Sequence, residues 1–158
     1  MKNLLEINLL LAIGWCALFG RFDFAHLVAG FLVGFAALSV VSPLFGKTFY
    51  FLRALLIVRL LAYFVWQLVM SSIQVAWDVI TPVQKSRPAI VAIPLDIEEP
   101  RQITVLANLI SLTPGSLSLD VSPDQKTLYV HGMFVDDPEE MRRKIKSGFE
   151  QKVRDAMQ

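Results

Sequence analysis

The chain has 158 residues, of which 54% are apolar, and its formal net charge is +1. This length allows one domain and a second small part. The apolar fraction is high, since soluble globular proteins have about 45–50% even when glycine is counted. The nearly balanced charge argues against a nucleic-acid partner, and the single cysteine, Cys16, excludes an internal disulfide.

Charged residues are distributed unevenly along the chain. Residues 1–82 contain five basic and three acidic residues, whereas residues 83–158 contain ten basic and eleven acidic residues. Few charges among many apolar residues are typical of membrane helices. We therefore predict a transmembrane helical region over residues 1–82 and a water-facing α+β domain over residues 83–158.

The first part contains three hydrophobic segments, at about residues 4–20, 24–45 and 49–80. A full crossing of the bilayer needs about 20 apolar residues, so the first segment is short, and the first two segments are consistent with a short hairpin. The third segment would be about 48 Å long as a continuous helix. This exceeds the hydrocarbon thickness of about 30 Å, so the segment must tilt or project beyond the membrane.

The second segment carries a face of small residues. His26, Gly30 and Gly34 follow one another at intervals of four residues and therefore lie on one side of a helix. The two glycines form a G-x-x-x-G motif, which lets helix backbones approach closely. We expect this face to contact the first segment. His26 has no carboxylate cluster beside it, which favours a packing role over a titrating one.

The third segment carries a polar stripe at helical spacing. Its members are Tyr63, Gln67, Ser71, Gln74 and Asp78. Lipid cannot satisfy such groups, so the favoured interpretation is packing against another helix of this chain or of a partner subunit. The alternative is a hydrated cavity or ion route. Arg53 and Arg59 are candidate interface charges that reach the headgroups, and for Arg59 an acidic partner is the alternative.

The polar half has a β-α-β-β-α pattern. Residues 89–95 read as a strand, residues 101–112 as a helix, and residues 117–121 and 127–135 as a hairpin of two strands. Leu117, Leu119 and Val121 alternate with polar residues and predict a half-buried strand. A final helix begins near Pro138 and carries an apolar stripe at Met141, Ile145, Phe149 and Val153. The order predicts most of a ferredoxin-like fold.

Sequence motifs of catalysis are absent. The chain has no nucleophile elbow, P-loop, zinc-protease motif or cysteine cluster. Four acids, Asp136, Asp137, Glu139 and Glu140, read as a solvated helix start with favourable charges at its N-terminus, and less well as a cation site. We therefore predict no catalytic residue, no cofactor and no metal, and a protein that is not an enzyme.

The most specific stretch is residues 106–121, which read L-A-N-L-I-S-L-T-P-G-S-L-S-L-D-V and are followed by L-Y-V-H at residues 128–131. This stretch resembles the E subunit of Mrp-type (Mnh/Pha) multisubunit Na⁺/H⁺ antiporters. The similarity extends over essentially the whole chain. It includes the segment with Trp15, the helix with Gly30 and Gly34, and the end of the third segment at Asp78.

The resemblance implies a place in a bacterial plasma-membrane complex that exchanges cytoplasmic Na⁺, sometimes K⁺, for external protons. In that family the ion pathways are attributed to the large subunits, and the E subunit is an accessory member without an assigned catalytic motif. The resemblance therefore favours an assembly role, with the other subunits and membrane lipids as partners. The alternatives are direct participation in an ion route through the third helix, or a free-standing membrane-anchored regulator that binds a ligand.

The orientation is predicted from the basic residues beside the third segment. Lys85 and Arg87 lie on the side of the polar domain, and the excess of basic residues in cytoplasmic loops places this domain in the cytoplasm. An odd number of crossings then puts the N-terminus outside. Lys2 and Lys47 argue against this arrangement, because they would lie on the outer side.

Overall fold

The computed structural model describes residues 2–41, 49–82 and 86–157. It divides into two compact units, Met1–Leu55 and Leu56–Gln158. The first unit contains helices α1 (Lys2–Phe19) and α2 (Phe24–Val41) and the beginning of α3 (Phe49–Ile80). By length and composition α2 and α3 are able to cross a membrane, whereas the apolar run of α1 is shorter. The predicted end of the second segment, at residue 45, lies outside the described residues.

The turn between α1 and α2 is determined by local residues. Gly20 has a φ of +64°, the left-handed conformation that glycine adopts without strain. The N–H of Gly20 donates to the Ala17 carbonyl at 3.2 Å, and the N–H of Arg21 donates to the Cys16 carbonyl at 3.1 Å. This pair of bonds ends α1 in a Schellman motif. Asp23 then begins α2, since its carboxylate accepts the backbone N–H of His26 at 2.8 Å.

The two helices of this hairpin pack through small residues. On α1, Asn8, Ala12 and Cys16 are buried at intervals of four residues. On α2, Gly30 lies against Trp15 and the Ala12 carbonyl, and Gly34 lies against Asn8. Any side chain at either glycine would meet α1, so the close approach requires glycine at both positions.

Within residues 86–157, the α+β part contains three strands, three α-helices and a π-helical turn. The strands are β1 (Ala89–Pro94), β2 (Ser116–Val121) and β3 (Thr127–Gly132), and the helices are α4 (Pro100–Ser111), α5 (Pro138–Ile145) and α6 (Gln151–Met157), with a π-helical turn at Lys146–Glu150. The sheet has the order β1-β3-β2, and β3 is antiparallel to both neighbours. The predicted pairing of the second and third strands is therefore confirmed.

One face of the sheet is covered and forms the core. Val91 and Ile93 of β1 and Leu128 and Val130 of β3 are buried in a single cluster. The helices contribute the remaining core residues, among them Leu106, Ile110, Phe149 and Val153. The apolar stripe predicted for the last helix therefore points into the core, as its periodicity indicates.

Two details of the polar half differ from the sequence prediction. Leu117 and Leu119 are each 48% exposed, because β2 turns its serine side inward, where the Ser118 hydroxyl donates to the Ala107 carbonyl of α4 at 3.0 Å. The last helix is also not continuous, since the π-helical turn separates α5 from α6. Such a turn is wider than an α-helical turn, and this one places Gly148 against Tyr63 of α3.

The free edge of β1 is protected by side chains of the last helical segment. Arg142 Nε donates to the Ala92 carbonyl at 2.8 Å, and Lys146 Nζ donates to the Pro94 carbonyl at 2.9 Å. Pro94 itself has no N–H to offer to a further strand. These contacts satisfy carbonyls that an edge strand would otherwise present to another chain.

Replacing Arg142 with methionine is expected to lower the free energy of unfolding of the α+β part by about 1 kcal/mol, because the Ala92 carbonyl loses its charged donor while the aliphatic packing is kept. Pulse proteolysis of the full chain in mild detergent measures this change. Arg143→Met is the matched control, since the one contact of the Arg143 side chain with charged groups of the described residues is a 3.7 Å exposed ion pair with Asp137. Equal destabilisation by both substitutions would contradict a role of Arg142 at the strand edge.

Candidate functional site on the third helix

The contact between α3 and the α+β part is centred on Tyr63. Its ring meets the Phe149 ring edge-on, with centroids 5.1 Å apart, and Lys152 Nζ lies 4.0 Å from the Tyr63 centroid. A side chain at Gly148 would overlap the Tyr63 hydroxyl. Leu60, one turn earlier on α3, belongs to the core of the α+β part. This section of α3 is therefore packed on the domain that follows it in sequence.

The rest of the predicted polar stripe continues along the same face. Gln67 Nε2 donates to the Tyr63 hydroxyl at 2.8 Å, and the Ser71 hydroxyl donates to the Gln67 carbonyl at 2.6 Å. Tyr63, Gln67, Ser71 and Gln74 line a cavity of about 470 Å³, whose other walls come from the α+β part. The fifth residue, Asp78, is buried. The structure thus places Tyr63, Gln67, Ser71 and Gln74 against the α+β part of the same chain. The sequence alone had favoured packing against another helix.

The acids on the other side of this cavity are balanced by basic neighbours. Asp136 pairs with Arg87 at 3.3 Å, and Glu140 pairs with Lys144 at 2.6 Å. Asp137 begins α5, and its carboxylate accepts the backbone N–H of Glu139 at 2.9 Å. These contacts are those of a helix start. Within residues 2–41, 49–82 and 86–157, no group of three or more His, Cys, Asp or Glu side chains is arranged to hold a metal ion.

A small basic region lies beside Tyr63. Burial lowers the pKa of Lys152, the positive charge of Arg59 lowers it further, and Asp155 opposes both effects. Arg59 is exposed on α3, and Arg53 is half-buried near the beginning of the helix. The geometry therefore brings Arg59, but not Arg53, into the electrostatic environment of the α+β part.

The other predicted site residues lie in the hairpin. The Nδ1 atom of His26 is 2.9 Å from both carboxylate oxygens of Asp23. The backbone N–H of His26, followed by its ring, holds the pKa of Asp23 below its usual value. His26 therefore lies at the turn of the hairpin, whereas Gly30 and Gly34 lie within the contact between α1 and α2. These three residues form one group of predicted site residues, and the polar stripe of α3 forms a second, separate group.

Sequence reasoning missed the buried carboxylate of Glu150. One of its oxygens, Oε1, accepts the backbone N–H of Asp96 at 2.5 Å and that of Ile97 at 3.2 Å. Glu150 is almost completely buried and joins the π-helical turn to the loop after β1. No sequence signal marked it, because it directly follows the stripe residue Phe149 and reads as a solvent-facing position.

An apolar hairpin, a long helix with an exposed apolar face and a small α+β domain define a class of protein, a membrane-associated subunit. The family model described as Na⁺/H⁺ ion antiporter subunit (MNHE) matches residues 8–156. The chain therefore belongs to this family of antiporter subunits. The resemblance predicted from residues 106–121 is confirmed, as is the prediction that other subunits are its partners.

Individual members of the family agree with this result. The chain is 33% identical over 147 residues to the E subunit of the Na⁺/H⁺ antiporter of Alkalihalophilus pseudofirmus, covering 93% of both chains. It is 30% identical over 149 residues to the E subunit of the Na⁺/H⁺ antiporter of Bacillus subtilis, covering 94% of both. The family is one of transporter subunits and not of enzymes.

Two solved complexes contain similar chains. A chain of the membrane-bound sulfane sulfur reductase, an archaeal respiratory membrane complex, matches 98% of this chain and 98% of its own length, with a TM-score of 0.56 and 25% identity. A chain of the Mrp complex from Dietzia sp. DQ12-45-1b matches 62% of this chain and 93% of its own length, with a TM-score of 0.48 and 28% identity. The first of these supports the fold over nearly the whole chain.

Proposed function

We propose that this chain is an accessory subunit of an Mrp-type Na⁺/H⁺ antiporter in the bacterial plasma membrane, and that it contributes to the assembly and stability of that complex. One observation carries the proposal. Hydrogen bonds of the polar face of α3 are formed within the chain, from Gln67 to Tyr63 and from Ser71 to the Gln67 backbone. The hairpin of α1 and α2, by contrast, exposes apolar side chains such as Leu18, Leu32 and Val40, and such a surface is suited to contacts with helices of neighbouring subunits.

The proposed arrangement has the α1–α2 hairpin in the membrane and the α+β domain, residues 83–158, in the cytoplasm. Each helix of the hairpin has 18 residues and is about 27 Å long, close to the hydrocarbon thickness of about 30 Å. Lys85 and Arg87, at the beginning of the domain, favour the cytoplasmic side. The strand order β1-β3-β2 favours a ferredoxin-like fold that lacks its last strand.

The cavity beside α3 favours a second candidate function, direct participation in ion movement. Its polar lining by Gln67, Ser71 and Gln74 suits water or a cation. Against it, Asp136 and Glu140 across the cavity already have basic partners. A free-standing regulator that binds a ligand would use the same cavity, and it would be purified as a functional protein without companion subunits.

Deletion of the subunit from the producing bacterium separates these functions. We expect a loss of assembled complex on native gels, with Na⁺-driven proton transport per remaining complex unchanged.

Gln67→Ala and Gln74→Ala complexes should transport at the same rate and with the same pH profile as the parent. Ser72→Ala, on the opposite face of α3, is the control. Normal assembly with altered transport in the Gln67 or Gln74 variants would contradict the assembly role and support the ion route.

A further inference from the structure

The α+β part covers one side of α3 over most of its length. Leu56 and Leu60 lie in or against its core, Tyr63 contacts Phe149, and Val75 lies beside Gly115. The covered stretch from Leu56 to Val75 is about 28 Å long at 1.5 Å per residue. That is nearly the whole hydrocarbon thickness of about 30 Å.

A helix held in this way cannot also cross the membrane. Residues 83–158 carry 21 charged side chains, ten basic and eleven acidic, and their transfer into hydrocarbon is prohibitively costly. Outside the covered stretch α3 has only seven residues at its beginning, Phe49–Leu55, and five at its end, Ala76–Ile80. Neither piece approaches the roughly 20 residues that a crossing needs.

Apart from Ser72, whose hydroxyl donates to the Leu68 carbonyl, the opposite side of α3 is apolar and exposed. At 3.6 residues per turn, its centre is formed by Val58, Leu61, Val65, Val69 and Ile73, all of which are exposed. Trp66 and Trp77, 60% and 63% exposed, lie along one border of this side, and Arg59 lies on the same border. Tryptophan and arginine at the border of an apolar helix face are typical of helices that lie in a membrane interface.

We propose that α3 lies in the plane of the membrane interface. Its Val58–Ile73 face contacts the boundary between lipid headgroups and acyl chains, and its Tyr63–Gln74 face supports the α+β domain on the water side. The occupant of the apolar face is the lipid bilayer. The positive charge of Arg59 complements anionic headgroups, and Trp66 and Trp77 have polar ring nitrogens that remain at headgroup level.

The distribution of basic residues supports this placement independently. Apart from Arg21, the basic residues next to or near the ends of the three helices are Lys2, Lys47, Arg53, Lys85 and Arg87. Three crossings would separate the first three from the last two. If the hairpin crosses twice and α3 does not cross, all five lie on the side of the α+β domain and Arg21 alone lies opposite. The excess of basic residues on cytoplasmic loops is then satisfied, and the conflict caused by Lys2 and Lys47 disappears.

The inference goes beyond the proposed function, since an interfacial α3 is compatible with either an assembly role or an ion route. Cysteine labelling in native membrane vesicles of both orientations tests it, starting from the Cys16→Ala variant. Leu52→Cys and Thr81→Cys mark the two ends of α3, Ser122→Cys marks the α+β domain, and Arg21→Cys marks the hairpin turn. We expect an impermeant maleimide to label both ends of α3 from the side that labels the domain. Labelling of Leu52→Cys from the side that labels Arg21→Cys would overturn the proposal.

A second measurement identifies what covers the apolar face. The full chain with Trp15→Phe and Trp77→Phe retains Trp66 as its only tryptophan. The vesicles contain anionic lipid and lipids with brominated acyl chains. We expect bromine atoms near the headgroups to quench the fluorescence of Trp66 several-fold more than bromine atoms near the ends of the acyl chains. Stronger quenching by the deep bromines, or no quenching, would contradict interfacial contact.

A Val69→benzoylphenylalanine variant that crosslinks to a discrete protein in native membranes would show a neighbouring protein in place of lipid and overturn the proposed occupant.

Discussion

Replacing Gly30 with leucine is expected to separate α1 from α2 and to make the buried thiol of Cys16 reactive. A Cβ atom at position 30 would lie 2.7 Å from Trp15 Cβ and 3.0 Å from the Ala12 carbonyl oxygen. Both neighbours are at or next to the α1 backbone, so they cannot move aside without moving the helix. Overpacking of this kind costs about 3 kcal/mol, which corresponds to a roughly 100-fold increase in the open population.

Cys16 reports this opening directly, because it is the only cysteine of the chain and is completely buried. The rate of its reaction with a membrane-permeable maleimide in native membranes is the measurement. Gly14→Leu is the matched control, since a Cβ atom at Gly14 has no neighbour within 4 Å and the same volume is added to the same hairpin. If both variants react at the parental rate, close packing at Gly30 does not hold the hairpin together.

The hairpin shows how far local sequence reasoning reaches. Gly20 and Asp23 end one helix and begin the next through bonds to neighbours within five residues, and such contacts are encoded in short stretches of sequence. The close approach at Gly30 and Gly34 also follows from their spacing. These features could be predicted because the residues that determine them are adjacent in sequence.

The strands and the third helix show where such reasoning stops. The alternation of Leu117 and Leu119 with serine and aspartate identified a strand, but a period of two is the same whichever face is buried. The buried face is decided by α4, whose Ala107 carbonyl accepts the Ser118 hydroxyl. In the same way, the spacing of Tyr63, Gln67 and Ser71 defines a helix face, but it contains no information about which partner covers that face.

The candidate site could be predicted only in part, because spacing along one helix does not show which residues lie opposite it. The members of the polar stripe could be named from their spacing, whereas the wall opposite them, contributed by residues between Ile110 and Phe149, is brought there by the fold. Glu150 is the clearest omission, because its hydrogen bonds to Asp96 and Ile97 join positions more than 50 residues apart. A buried charge with distant backbone donors leaves no periodic trace in the sequence.

Replacing Glu150 with alanine is expected to lower the free energy of unfolding of the α+β part by about 3 kcal/mol. The backbone N–H groups of Asp96 and Ile97 would lose their acceptor, and each buried group left without a partner costs about 1–3 kcal/mol. The buried volume left by the side chain adds a cavity term. Glu150→Gln retains an acceptor oxygen at nearly the same position, so its effect should be closer to about 1 kcal/mol.

Pulse proteolysis of the full chain in mild detergent over a urea series measures these differences, and Glu98→Ala provides the matched control because Glu98 is an exposed carboxylate in the same loop. The order of stability distinguishes two explanations. If the carboxylate acts as an acceptor for the loop, the parent and Glu98→Ala should be most stable, Glu150→Gln intermediate and Glu150→Ala least stable. A Glu150→Gln variant as unstable as Glu150→Ala would show that the negative charge, and not the acceptor oxygen, holds the loop after β1 against the π-helical turn.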